Sequence, residues 1–115
     1  MPGKKAKVKA NYMSSSLDPL FIMKGECLVV AYESEKWPGW IWCINKEGKS
    51  GWTPMSYLEI TGESAVARRD YDAVELTVRV DDELKVLDEE SGWCWCLFGG
   101  DEKGWVPTEN LEFLD

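Results

Sequence analysis

Residues 91–107 read SGWCWCLFGGDEKGWVP, and residues 38–54 read PGWIWCINKEGKSGWTP. At an offset of 53 the two stretches share seven of 17 residues without a gap: three tryptophans, two glycines, a cysteine and a proline. Self-similarity of this kind is typical of a chain that builds one structural unit more than once.

The match continues on both sides of these stretches with small changes of offset. Leu58 matches Leu111, and further upstream the pair Asn11-Tyr12 matches Asp70-Tyr71 at an offset of 59. Changes of length between matched segments mark loops, because loops accept insertions more readily than strands do. We therefore predict two consecutive domains, residues 6–60 and 64–114, joined by the short segment EITGES.

Both repeats carry the pattern of β-strands. The runs LFIMKGECLVVAY (20–32) and ELTVRVDDELKVL (75–87) are rich in β-branched residues with apolar positions at alternate places. Five short strands in about 50 residues do not make a stable open sheet and must curl into a small barrel or two packed sheets. The predicted fold class is therefore all-β, with two five-stranded small barrels.

Charge is unevenly divided between the two repeats. Residues 1–61 carry eight basic and six acidic groups, whereas residues 62–115 carry five basic and 15 acidic groups, and the whole chain has a net charge of −8. An acidic surface repels nucleic acids and anionic membranes and favours a basic partner. The lysines at the start of the chain have no apolar run behind them, so we expect no secretion signal and a cytoplasmic location.

Residue inventory argues against catalysis and against a metal or cofactor site. The chain has no histidine and only four cysteines, Cys27, Cys43, Cys94 and Cys96. Only Cys94 and Cys96 are close in sequence, and no second pair stands at a spacing that a zinc site needs. No glycine-rich phosphate loop is present, and no cysteine has a base nearby. We therefore expect a non-enzyme with small, buried, reduced thiols.

The order of motifs resembles that of an SH3 domain, and the resemblance covers nearly the whole chain twice. The second repeat reads ARRDYDA, ELTV, DDELKVL, GWCWC and GWVPTENL, and the first reads VKANYMS, GECLVV, GWIWC and GWTPMSYLEI. The W-x-W spacing and the weak opening motif look most like the variant SH3 domains of prokaryotic proteins. The resemblance implies two tandem SH3-like domains, each with its own core.

The resemblance also assigns the apolar interior, strand by strand. In the first repeat it consists of Val8, Leu20, Ile22, Leu28, Val30, Cys43 and Leu58; in the second, of Ala67, Leu76, Val78, Leu84, Val86, Cys96, Val106 and Leu111. One residue does not fit this core. Thr53 stands where the second repeat has Val106, and burial of its hydroxyl requires a hydrogen-bond partner.

SH3 domains bind extended, proline-rich peptides on an aromatic shelf, so the resemblance implies a set of ligand-binding residues. In the first repeat these are Tyr12, Trp40, Pro54 and Tyr57, with Ala10 in place of one tyrosine. In the second they are Tyr71, Trp93 and Pro107, with Arg69 and Asn110 replacing tyrosines, and Glu75 and Asp82 supply charge. The family leaves the shelf indole exposed, at Trp40 and at Trp93. Because the first repeat also keeps the closing tyrosine, we expect Trp40 to dominate binding and the acidic loops of the second repeat to receive Arg or Lys.

The remaining tryptophans have a structural interpretation. Trp42, Trp52, Trp95 and Trp105 are expected to pack over each other within a repeat or across a contact between repeats. The leading functional hypothesis is a monomeric adaptor that binds a protein or an extended peptide, either proline-rich or basic. The alternatives are a mainly structural tandem barrel whose binding faces cover each other and a protein that binds the cell wall.

Overall fold

A computed structural model of the chain describes residues 3–14 and 18–114, which form an all-β protein. In chain order the strands are β1 (Lys4–Val8), β2 (Phe21–Ile22), β3 (Cys27–Glu33), β4 (Trp40–Ile44), β5 (Ser50–Pro54), β6 (Leu58–Thr61), β7 (Ser64–Ala67), β8 (Tyr71–Asp72), β9 (Glu83–Glu90), β10 (Trp93–Phe98), β11 (Glu102–Pro107) and β12 (Leu111–Phe113). Single 3₁₀ turns span Met55–Tyr57 and Thr108–Asn110. Among the described residues, no helix is long and apolar enough to cross a membrane.

The strands form two five-stranded sheets and one short ribbon. One sheet has the order β11-β10-β9-β1-β12, the other has the order β5-β4-β3-β7-β6, and β2 pairs with β8 in the ribbon. The predicted all-β class with two five-stranded units is confirmed. The first strand of each repeat, however, lies in the sheet of the other repeat.

The compact units therefore differ from the sequence repeats at 6–60 and 64–114. One unit, named here the split unit, consists of residues 1–17 and 74–115, and the other, the central unit, consists of residues 18–73. The change of unit is abrupt at Ala73 and Val74. The Ala73 N–H donates to Leu20 O at 2.8 Å in the central unit, whereas Val74 O accepts from Trp105 N–H at 2.9 Å in the split unit.

A tight turn explains why β7 is in the central unit. Strands β6 and β7 pair antiparallel with Thr61 opposite Ser64, so only residues 62 and 63 connect them. Gly62 has a φ of 61°, and positive φ at the first central residue is what the favoured two-residue hairpin turns require. The join thus forms a hairpin, and β7 takes the place beside β6 and β3 that β1 would otherwise fill.

Charge also favours this exchange of first strands. Lys7 on β1 stands opposite Glu83 on β9 and opposite Glu112 on β12, and opposite charges facing each other across strands are stabilising. One like-charge pair, Lys5 opposite Lys85, offsets part of this gain. The split unit carries seven basic and 12 acidic groups and the central unit six basic and nine acidic groups. The net charges of the two repeats, +2 and −10, differ by 12, whereas the net charges of the two units, −5 and −3, differ by only two. The exchange of first strands thus spreads the acidic groups more evenly.

Each unit has its own apolar core. The split unit buries Ala6, Val8, Leu76, Val78, Leu84, Val86, Cys94, Cys96, Val106 and Leu111. The central unit buries Leu20, Ile22, Leu28, Val30, Ile41, Cys43, Leu58, Ala65 and Ala67. Every predicted core residue is buried, but Val8 and Ala67 are in the opposite unit from the one predicted, because they belong to the exchanged strands.

The repeated tryptophans pair across neighbouring strands within each unit. Trp42 lies opposite Trp52, with ring centroids 5.1 Å apart, and Trp95 lies opposite Trp105, with centroids 5.3 Å apart. Aromatic pairs at such distances contribute about 0.5–1.5 kcal/mol beyond the area that they bury. The expectation that these rings pack over each other within a repeat is confirmed, and the pairing accounts for four residues of the repeated motif.

Thr53 is the polar misfit of the central core. Its side chain is fully buried, and Oγ1 has no hydrogen-bond partner among the described residues. Burial raises the pKa of the Cys43 thiol, and the nearby Thr53 hydroxyl lowers it in part. This contact lacks the geometry of a hydrogen bond, so it does not compensate for the free energy lost when the Thr53 hydroxyl leaves water.

Exchange of β1 and β7 predicts that a cut at the join leaves the two halves together. Fragments 1–61 and 62–115, coexpressed with different tags, should copurify as one complex because each unit contains strands from both. Pull-down on one tag followed by size-exclusion chromatography measures this. Two separate folded fragments, as in an ordinary tandem, would contradict the exchange.

The unpaired hydroxyl predicts an asymmetric pair of substitutions. Thr53→Val removes the buried hydroxyl at nearly constant volume and should raise the free energy of unfolding by about 1 kcal/mol. The matched change Val106→Thr buries a new hydroxyl in the other unit and should lower it by about 1–3 kcal/mol. Urea denaturation of both variants gives the comparison, and loss of stability in Thr53→Val would show that its hydroxyl is satisfied.

Candidate functional site

The structure regroups the predicted shelf residues. Tyr12 packs edge-on against Trp93, with ring centroids 5.7 Å apart, and not with Trp40 as the repeat boundaries predicted. Tyr71 instead lies 6.5 Å from Trp40 and 5.6 Å from Tyr57, measured between ring centroids. Each tyrosine follows an exchanged strand by a few residues, so it travels with that strand into the other unit. Both shelves are therefore built from two repeats.

In the split unit, hydrogen bonds on two sides hold Tyr12. Its backbone exchanges a pair of hydrogen bonds with Val78, at 2.9 and 2.8 Å. Its phenol donates to Glu75 Oε1 at 2.8 Å. The Tyr12, Glu75 and Trp93 side chains are all partly exposed. This arrangement brings an aromatic pair and a carboxylate together at the surface.

Gly104 makes the position of Glu75 possible. A Cβ at residue 104 would lie 2.9 Å from the Leu76 backbone nitrogen and 3.0 Å from the Glu75 carbonyl carbon, so only glycine fits. The close approach lets Glu75 form a parallel bridge with Trp105. The glycine of the repeated motif thus fixes the carboxylate that receives the Tyr12 phenol.

More carboxylates stand beside Trp93 on the neighbouring strand. Glu90 is directly opposite Trp93, and Glu89 and Asp88 are opposite the next two residues of β10. Asp82, predicted to contact the ligand, has a structural use instead. Its carboxylate accepts from the Arg79 N–H at 2.9 Å and its carbonyl accepts from the Val8 N–H at 2.9 Å, and these bonds hold the turn before β9.

The other shelf positions of the split unit are closed. Pro107 is buried opposite Trp93 and begins the 3₁₀ turn. Asn110, which replaces a tyrosine, donates through Nδ2 to Ala10 O at 3.1 Å and to Asn11 O at 3.2 Å. This tether was not predicted, because the contact joins residues 100 positions apart and no local pattern signals it. The edge-on pair of Tyr12 and Trp93 is partly exposed at this shelf.

The shelf of the central unit is buried, which corrects the expectation of an exposed indole at Trp40. The exposed fractions are 4% for Trp40, 6% for Tyr57 and 5% for Tyr71, and Pro54 is fully buried. The Tyr71 phenol donates to Trp52 O at 2.7 Å. These aromatic rings pack against one another in the interior, so the Trp40 ring does not offer a surface to which a peptide could bind.

Arg69 covers the edge of this buried cluster. The central carbon of its guanidinium lies 4.2 Å from the centroid of the Tyr57 ring, which is a close cation–π contact. The sequence marks Arg69 only as a replacement for a tyrosine. The stacking was missed, because Tyr57 belongs to the other repeat and the exchange of β7 brings the two together.

Comparison with known proteins gives one result for the family. A family model described as the variant SH3 domain matches residues 5–61 and again residues 64–114. No curated protein matches the chain.

Three of the four thiols, those of Cys43, Cys94 and Cys96, are core groups. Among the described residues, no three Cys, Asp or Glu side chains lie close enough together to share a metal ion. Burial, with a smaller contribution from the neighbouring Cys94, raises the pKa of Cys96 to about 12. Burial also raises the pKa of Cys94 to about 11, although a contact of 3.2 Å with Thr108 Oγ1 lowers it in part. Thiols with such pKa values remain protonated at neutral pH.

Burial therefore predicts selective thiol labelling. Cys27 is exposed, whereas Cys43, Cys94 and Cys96 are buried, so a thiol reagent should modify Cys27 alone in the folded chain. Because the folded-state pKa values of Cys94 and Cys96 are raised, their stabilising effect is complete below the ordinary value of 9.0 and is lost as pH rises toward 11–12. Mass spectrometry after labelling, with and without urea, tests this; rapid native labelling of all four would contradict it.

Proposed function

The chain belongs to the variant SH3 family, whose domains are generally binding modules, and we propose that it is a non-catalytic adaptor that binds an extended segment of another protein. The split unit carries the binding site. The observation behind this choice is the partly exposed pair Tyr12 and Trp93, which stands beside Glu75 and Glu90. The central unit offers no exposed aromatic pair at the matching position.

The ligand is an extended peptide with at least one Arg or Lys. Flat rings set at 83° to each other provide walls for one side chain, and carboxylates at Glu75 and Glu90 favour a cation between them. The two other pockets of an SH3 shelf are missing, because Ala10 and Asn110 stand where tyrosines would build them. A ligand of this site therefore depends on a basic side chain more than on a pair of prolines.

A structural role is the second candidate, and it applies to the central unit. Burial of Trp40, Tyr57 and Tyr71 supports it, since rings that are packed together stabilise the unit but offer little surface to a peptide. The sequence predicts the main contact at Trp40, because the first repeat keeps both the shelf tryptophan and the closing tyrosine, and it predicts an exposed indole there. We assign that contact to Trp93 instead.

The proposal predicts that Trp93 is the main binding residue. A proline-rich, Arg-containing peptide should shift the amide resonances around Tyr12, Glu75 and Trp93. Trp93→Ala should weaken binding about thirtyfold, since loss of a buried indole contact at an interface costs about 2 kcal/mol or more. Trp95→Ala, on the same strand but in the tryptophan pair with Trp105, is the matched control and should bind like the wild type.

Two further outcomes decide between the candidates. Raising the salt concentration should weaken binding of the Arg peptide, because Glu90 and its neighbours are partly exposed and salt screens exposed charges. Trp40→Phe, which keeps a ring in the central cluster, should leave binding unchanged. If Trp93→Ala binds as well as the wild type, or if the shifts surround Trp40 alone, the site is not in the split unit.

A further inference from the structure

We infer that the central unit has a second binding point, at which Arg69 binds a carboxylate of an acidic peptide. Its charge preference is the opposite of that proposed for the split unit, which binds a basic side chain. This point is separate from the aromatic pair Tyr12 and Trp93 and does not depend on it. Three observations support it: the position of the Arg69 guanidinium, its hydrogen-bond donors, which have no partner within the described residues, and the burial of the aromatic rings behind it.

The guanidinium is held in place before any ligand arrives. Its central carbon lies 4.2 Å from the centroid of the Tyr57 ring, and hydrogen bonds hold both neighbouring residues. The Arg68 N–H donates to Tyr57 O at 2.7 Å, and Asp70 Oδ1 accepts from the Lys24 N–H at 2.8 Å. Preorganisation of this kind lowers the entropic cost of binding.

The donors of Arg69 remain available. A cation–π contact supplies no oxygen or nitrogen acceptor for the five N–H donors of a guanidinium. Within residues 3–14 and 18–114, no hydrogen bond or ion pair involves the Arg69 side chain, which is exposed. The adjacent Asp70 carboxylate accepts from the Lys24 N–H through Oδ1, and within the described residues it forms no ion pair with Arg69.

The rings behind Arg69 cannot supply the donors of an ordinary SH3 shelf. The Tyr71 phenol is committed to Trp52 O, and the Trp40 ring is 4% exposed. The Arg69 guanidinium is exposed at this edge and carries five donors. A peptide that reaches it must bring an acceptor, and a carboxylate matches the two parallel N–H bonds of the guanidinium fork. An acidic side chain in an extended segment is therefore the ligand.

The matching position of the split unit has none of these features. Ala10 stands where Arg69 stands at the offset of 59, and Asn110 stands where the central unit has Tyr57 at the offset of 53. Asn110 uses its amide on the backbone of residues 10 and 11. The two units therefore differ in charge preference: carboxylates stand beside the aromatic pair of the split unit, and a cation in contact with Tyr57 lies at the edge of the central unit.

The test is titration of the isotope-labelled full chain with two extended peptides, one alternating Pro with Glu and one alternating Pro with Arg. At about 0.15 M salt, where charges farther apart than about 8 Å are screened, the Glu peptide should shift the amides around Arg69 and Tyr57. Arg69→Gln should weaken this binding about tenfold, as expected for loss of charge-assisted hydrogen bonds. Arg69→Lys should lie between, because an ammonium lacks the planar fork.

Arg68→Gln is the matched control, since it removes the same charge from an exposed neighbour, and it should change the affinity less than threefold. Equal effects of Arg68→Gln and Arg69→Gln, no shifts around Arg69, or the same shifts with acetate at equal carboxylate concentration would overturn the assignment. The Arg peptide, followed at Trp93 in the same samples, reports on the split unit independently. Its failure leaves the result at Arg69 unaffected.

Discussion

The turn of two residues at Gly62 and Glu63 is the constraint on which the rest of the structure depends. A turn this short forces β6 and β7 into one hairpin, and the hairpin places the first strand of the second repeat in the central unit. Strand β1 then fills the matching vacancy beside β9 and β12. The units, the tyrosine partners and the neighbours of Arg69 all follow from that pairing.

Much of the fold could be predicted because it depends on local pattern. Alternating apolar residues identify the strands, the repeated tryptophan motif identifies the family, and together they identify core positions such as Leu28 and Leu84, which are buried. The strand exchange could not be predicted in this way. Val8 and Ala67 are both small apolar residues at equivalent positions, so the same pattern of burial results from either arrangement. The segment EITGES is compatible with a linker or with a hairpin, and only the pairing distinguishes them.

The candidate site was less predictable, because its geometry depends on partners that are distant in sequence. The family pattern correctly marks Tyr12, Trp93, Tyr71 and Trp40 as aromatic positions, but it pairs each tyrosine within its own repeat. Exposure is also a property of tertiary packing. Trp40 and Trp93 occupy matching positions of the motif, yet one ring is buried and the other is partly exposed. Asp82 is a further case, since its carboxylate serves the turn before β9.

The position of β1 next to β12 has a mechanical consequence. Ala6 stands opposite Phe113 in an antiparallel pair, so the chain enters and leaves the split unit at the same end of two neighbouring strands. Tension applied through both ends peels these strands apart one pair at a time, which requires less force than sliding them past each other. The central unit is connected only through positions 17/18 and 73/74, so it carries no load until β1 has been released. Under tension the split unit therefore unfolds first, while the central unit is still folded.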